Sequence, residues 1–198
     1  MNIKLFDRWD ISQIIINEPG LKEYINIKSV IVPRSSGRHT HVRFHKNKYS
    51  IVERLMNRIM IPGHKGKTHR ISSGHCSGKS IQVYNIVEKA FGIIEKRTNK
   101  NPIEVFVAAV ENAAPREEIT TIEYGGARYP QAVECSPQRR IDLALRFMTQ
   151  GAYQSSFRSR KKIEESIADE IIFAYNLDNK STAIAKKLEL ERQSDASR

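Results

Sequence analysis

Residues 111–140, ENAAPREEITTIEYGGARYPQAVECSPQRR, contain the only good strand-turn-strand signal in an otherwise helical sequence. Positions 119–124 and 129–136 are rich in β-branched and aromatic residues, and Gly125-Gly126 sits between them. Two glycines permit the positive φ angles of a tight hairpin reversal. Asn112 and Pro115 close the preceding helix. Ser136-Pro137 then places an N-cap hydroxyl before a proline at the first helical position. A two-stranded ribbon is marginal in water on its own. Pro130 also removes a backbone donor, which only an edge strand can spare. The ribbon is therefore expected to project from a helical body and to rest on something else.

Charge placement suggests what that something is. The chain has 198 residues, enough for a single domain with a real core, and a net charge of +11. Between Arg34 and Val87 there are eleven Lys/Arg residues and one acid, Glu53, so +10 sits in one contiguous third. An anionic partner engaged through that third is the direct physical reading. The bland alternative is a solvated basic face kept for solubility. Two cysteines, Cys76 and Cys135, make no disulfide framework and point to a reducing compartment. The opening MNIKLFDRWD carries Asp7 and Asp10 and is not read as a secretory signal. Aliphatic runs such as Ile14-Ile15-Ile16 fall far short of the roughly 18 residues that span a membrane.

Taken in order, residues 1–33 are apolar and aromatic without clean periodicity, and are expected to form an irregular strap packed on the body. Residues 34–48, RSSGRHTHVRFHKNK, have five Lys/Arg, three His and no acid. They are expected to form an extended arm that orders on a polyanion. His39, His41 and His45 raise a metal reading, but no cysteine or paired acceptor motif follows at finger spacing. A helix over 50–61 is predicted to open with a capping box from Ser50 to Glu53. Its apolar stripe is Ile51, Val52, Leu55, Met56 and Ile59, and Arg54, Asn57 and Arg58 lie toward the other side. The loop 63–79 contains GHCSGKS, one residue short of a phosphate-binding P-loop and without the strand that should precede it. Its small residues and Lys79 still favour an anion near the next helix start. Helices are predicted over 80–97, from Asn101-Pro102, over 137–150 with Gly151 as C-cap, over 161–175 and over 181–193. Residues 154–162 form a second basic patch, and the end, SDASR, is expected to fray.

Several of these segments, in order and spacing, resemble the universal small-subunit ribosomal protein seven family. They are GRHTHVRFHKNKYSIVERLMNRIM, NPIEVFVAAVENAAPRE, PREEITTIEYGGARYPQAVECSPQRRIDLALRFMTQGA, SFRSRKKIEESIADEII and AIAKKLELER. The long strap with VIVPRSSGRH looks like the archaeal and eukaryotic branch. The resemblance implies a mainly α single domain over 1–198: a bundle of about six helices with one protruding β-hairpin ribbon and an extended N-terminal strap. The strap would be 1–33, the basic arm 34–48, and the helical body 50–198 with its ribbon at 117–136.

The resemblance also implies a cytoplasmic, non-enzymatic constituent of the small ribosomal subunit. It would be a primary binder of the 3′ major domain of small-subunit rRNA that nucleates the head, with no cofactor and no metal. Residues implied to contact rRNA are Arg34, Arg38, Arg43, Lys46 and Lys48 in the arm, Arg54 in the first long helix and Lys79 in the loop. Arg116, Arg139, Arg140 and Arg146 follow around the ribbon base, then Arg158, Arg160, Lys161 and Lys162. The ribbon tip, Tyr124, Gly125, Gly126, Arg128 and Tyr129, would lie beside the exit (E) site, near tRNA and outgoing mRNA, among neighbouring head and platform proteins. Two other classes share some of this physics. One is an architectural protein that inserts a ribbon arm into a DNA minor groove. The other is a nucleotide-binding RNA-processing enzyme built on the glycine-rich loop, which lacks paired carboxylates or a complete P-loop.

Overall fold

The computed structural model of the chain describes residues 3–62 and 79–198. These residues form a one-turn helix α1 (Pro19–Lys22), then α2 (Ile51–Ile59), α3 (Ser80–Thr98) and α4 (Pro102–Ala113). An antiparallel ribbon of β1 (Glu117–Tyr124) and β2 (Ala127–Glu134) follows, and then α5 (Pro137–Ser156), α6 (Ile163–Tyr175) and α7 (Thr182–Ala196). The mainly α body with one ribbon is as expected from the sequence.

The core forms around α6, which packs against α3, α4, α5 and α7. Its Ile167, Ala168, Ile171 and Ala174 recur at helical spacing and are all buried. Helix α4 is enclosed on nearly every side. Pro102 stands in its first turn, and the Asn101 side chain accepts from the Ile103 amide at 3.1 Å. Phe91 of α3 and Phe106 of α4 are fully buried with ring centroids 5.8 Å apart. Each such side chain contributes about 1.5–3 kcal/mol through burial.

The strap completes this core. Phe6 and Trp9 meet Phe91 edge-on at 6.2 and 5.9 Å. Polar side chains of the body satisfy the strap's backbone. Asn101 Nδ2 donates to the Asp10 carbonyl at 2.6 Å, and Glu111 Oε1 accepts from the amides of Asn17 and Glu18 at 2.8 and 3.2 Å.

Four local expectations are corrected. Gly151 does not end α5, which continues to Ser156. A Cβ at Gly151 would lie 2.5 Å from Thr182 Oγ1 and 2.6 Å from Thr182 Cβ, so the glycine is a site of close approach between α5 and the start of α7. The capping box from Ser50 to Glu53 does not form, because Glu53 accepts from the Ser35 amide and hydroxyl at 2.8 and 2.5 Å instead. The Ser136 hydroxyl makes no capping bond, and α5 starts on Pro137 with its preset φ. The C-terminal residues continue α7 to Ala196, with Ser194 buried and Arg198 paired to Glu117 of β1.

Helix α7 positions the ribbon, and a buried carboxylate anchors α7. Glu170 of α6 accepts from the Ser181 hydroxyl at 2.9 Å and from the Ala183 amide at 3.0 Å. Burial pushes the Glu170 carboxyl above its ordinary pKa, against the pull of these donors. At its far end α7 packs on β1 and β2. The ribbon register runs from Glu117 opposite Glu134 to Tyr124 opposite Ala127, and Gly125 and Gly126 turn at φ 59° and 80°. Residues 120–131 are all exposed. Both strands are edges, so Pro130, opposite Thr121, costs no ladder bond to a further strand.

Replacing Gly151 by Ala is expected to lower the unfolding free energy by about 1–3 kcal/mol through overpacking against Thr182. Alanine's helix-propensity advantage of about 1 kcal/mol works in the opposite direction. Urea unfolding measures the balance, and unchanged or increased stability would contradict the close-approach role.

Candidate nucleic-acid interface

The basic arm does not run as an extended tail. It passes through turns into a one-turn 3-10 helix, His45–Lys48, entered through Phe44 at φ 57°. Carboxylates of the body account for this correction. Glu53 holds Ser35 at one end of the arm, and Lys46 Nζ donates to Asp142 Oδ2 at 2.7 Å at the other. Between them Arg38 Nε donates to the Ser35 carbonyl at 3.3 Å, and Thr40 Oγ1 donates to the Gly37 carbonyl at 2.8 Å. The rings of His39 and His45 lie 6.1 and 5.6 Å from that of Tyr49, which is buried.

Asp142 of α5 also accepts from Arg54 NH2 at 3.0 Å. Arg54 is only 6% exposed and gives NH1 to the Tyr24 carbonyl at 3.2 Å. Its Nε has no partner among the described residues. Arg54 is therefore turned inward, tying strap, α2 and α5 together. Burial raises the Asp142 pKa, but the hydrogen bonds and charges of Lys46 and Arg54 outweigh it and hold the carboxyl below its ordinary value.

Beside this junction is a groove of about 240 Å³ lined by His45, Tyr49, Asn57, Arg58, Asp142 and Arg146 together with the paired Lys46 and Arg54. Burial first, and then the neighbouring Arg146 charge, lowers the pKa of Arg58. Two guanidiniums without an ion pair among the described residues, Arg58 and Arg146, therefore face a groove whose one carboxylate is already shared by Lys46 and Arg54. Such a groove is short of negative charge and suited to a phosphate. Arg58 is not among the residues implied to contact rRNA, although the sequence places it with Arg54 on a side of the helix that could face a phosphate backbone. It lies one turn after Arg54 on the same polar side of α2, and that spacing was the available signal.

The fifteen cations implied to contact rRNA divide into two groups. Arg34, Arg38, Arg43, Lys48, Lys79, Arg116, Arg146, Arg158, Arg160 and Lys162 are exposed and make no ion pair with a described carboxylate. The other five are paired: Lys46 and Arg54 to Asp142, Arg139 to Glu118, Arg140 to Glu18 and Lys161 to Asp169. Arg140 is buried, gives Nε to the Pro115 carbonyl at 3.0 Å, and fastens the ribbon base to the strap.

Lys79 lines a cleft with Ser156 and Ile163, next to the basic segment 157–162. There Arg158 lies 5.3 Å over the Phe157 ring. Ser156, which ends α5 beside this second cluster, is ten residues beyond Arg146, about 15 Å at helical rise. Arg116 is apart from both clusters, at the ribbon base, where its amide donates to Glu191 of α7 at 3.2 Å. At the ribbon tip Tyr124, Gly125, Gly126, Arg128 and Tyr129 are all exposed, and Arg128 faces Glu123 at 3.5 Å.

The P-loop-like segment, with His75 and Cys76, lies outside the described residues apart from Lys79 and Ser80. Among the described residues no group of three or more His, Cys, Asp or Glu could hold a metal ion. No described helix is long and apolar enough to cross a membrane. Burial, followed by the charge of Glu118, pushes the Cys135 thiol up to about 11, which keeps it protonated at neutral pH.

Asp142→Ala is expected to destabilise the fold by about 3 kcal/mol at neutral pH, because Arg54 is left buried without its counter-charge. The depressed Asp142 pKa gives stability that is present above the unfolded value and lost as pH falls through the folded one. Urea unfolding at neutral and strongly acidic pH should therefore show the gap between parent and variant closing in acid. A gap that does not change with pH would contradict this pairing.

Comparison with known proteins gives the family. The family model for ribosomal protein S7p/S5e matches residues 21–198. The small ribosomal subunit protein uS7 of Nanoarchaeum equitans is 54% identical over 198 residues, all of both chains. That of Methanosphaera stadtmanae is 47% identical over 192 residues, covering 97% of each chain. That of Archaeoglobus fulgidus is 45% identical over 194 residues, 98% of this chain and 94% of the relative. All three relatives are archaeal, and their matches cover the long strap. These relatives are structural ribosomal proteins and not enzymes. The chain belongs to the family of ribosomal protein S7p/S5e.

Proposed function

We propose that this chain is a structural constituent of the small ribosomal subunit that binds the 3′ major domain of small-subunit rRNA and nucleates assembly of the head. The observation that carries this reading is the division of the cations. Ten are exposed without an ion pair among the described residues, and five are held by carboxylates, four of the five at the arm and ribbon base. The ten neutralise phosphates and release counterions, and Arg58 and Arg146 hold phosphates in register at their groove. RNA shape carries much of the specificity. The ribbon reaches from this body toward the exit site, near tRNA and mRNA. Its tip charges, Glu123 and Arg128, cancel, which argues against insertion into a DNA minor groove.

The test is binding of the full chain to an rRNA fragment of the head at graded salt. If the ten cations each meet one phosphate, log K against log salt falls with a slope of about −7 to −9. A slope near zero, or failure to co-sediment with small subunits, would overturn the reading. Removing residues 123–130 should leave the head-fragment affinity unchanged and disturb tRNA occupancy of the exit site. Loss of rRNA binding in that deletion would contradict the division between body and ribbon.

A further inference from the structure

The ribbon tip carries an apolar face that phosphate binding by the body leaves unused. Ile122 pairs with Tyr129 and Tyr124 with Ala127. Alternation along the strands puts these four on one face, and Thr121, Glu123, Arg128 and Pro130 on the other. Ile122 is 44% exposed, Tyr124 81% and Tyr129 58%. Neither tyrosine side chain has a hydrogen bond, ion pair or ring contact with a described residue. The tip's only charges, Glu123 and Arg128, lie on the opposite face and face each other.

We propose that the Ile122–Tyr124–Tyr129 face is a stacking platform for unpaired bases of single-stranded RNA. The proposal rests on the reading of this chain as a ribosomal RNA binder and gives its ribbon a specific mode of contact. Three arguments favour bases over other occupants. Flat aromatic rings standing free on a sheet face are suited to base faces, and such stacking tolerates any sequence. A neutral tip has no net charge with which to hold a phosphate backbone. Three side chains are also far too small a patch for a stable protein interface, which needs about 1,000 Å² or more of buried surface. Contact at the tip is therefore insensitive to salt, in contrast to the body.

The test uses the full chain with a short single-stranded oligoadenylate at about 0.5 M salt, where charges are screened beyond a few ångströms. Tyr124→Ala with Tyr129→Ala should weaken binding about tenfold or more. Tyr124→Phe with Tyr129→Phe keeps the rings and should stay within about twofold of the parent. Removing the charges, by Glu123→Ala with Arg128→Ala, should have equally little effect. Parental affinity in the alanine variant would overturn the proposal. So would an equal loss in the phenylalanine variant, which would mean the hydroxyls act rather than the rings. If the alanine variant keeps its oligoadenylate affinity and instead loses a small-subunit protein, the face is a protein surface and the proposal is also overturned. Head-fragment binding at low salt, measured on the same variants, separates the two readings. If it is intact while the tyrosines have no effect, only the stacking proposal fails. If the parent does not bind the head fragment, the rRNA reading itself fails.

Discussion

The shared hydrogen bonding of Asp142 to Lys46 and Arg54 joins the arm, α2 and α5 through one carboxylate. A stretch with eleven basic residues and one acid repels itself, and its single acid, Glu53, is too little counter-charge to hold it in place. Asp142 supplies counter-charge from outside the stretch, and Glu53 adds a second anchor through Ser35. With these two carboxylates engaged, Arg58 and Arg146 face their groove without a counter-ion of their own. The same few acids therefore fold the arm and leave the remaining cations available to RNA.

Ribbon placement follows a separate line of contacts. Gly151 lets the start of α7 approach α5, Glu170 caps that start from α6, and the far end of α7 lies against the ribbon base. Arg198 and Arg140 then fix β1 and the segment before it to the tail and the strap. A ribbon too short to be stable alone is held at its base on three sides, and its tip is left free. Support at the base and exposed aromatics at the tip are what the proposed base-stacking arm requires.

Much of this was legible in the sequence because it depends on local pattern. The 3.6-residue apolar spacing in α3 and α4, Asn101-Pro102 at a helix start and Gly125-Gly126 at the reversal each depend on neighbours a few residues away. What was misread depends on distant partners. Gly151 looks like a helix cap until Thr182 is placed against it. Glu53 has Ser50 at capping distance in sequence, yet Ser35 takes its carboxylate. Arg54 and Arg58 are the same residue type one turn apart. Only the positions of Tyr24 and Asp142 decide that Arg54 is enclosed and paired while Arg58 lines the groove without an ion pair to a described carboxylate. The tail reads as frayed because its partner, Glu117, is far away in the chain. For the same reason, charge placement identified the partner class but could not sort structural cations from exposed ones.

That sorting is tested most directly by measuring, for single alanine substitutions, both the thermal midpoint and the salt slope of head-rRNA binding. Arg58→Ala and Arg146→Ala should each reduce the slope by about one and leave the midpoint nearly unchanged. Arg54→Ala should lower the midpoint by several degrees or more, and the protein that remains folded should keep the parental slope. If Arg54→Ala instead flattens the slope at an unchanged midpoint, or Arg146→Ala leaves the slope intact, the assignment of interior and RNA-facing cations is wrong.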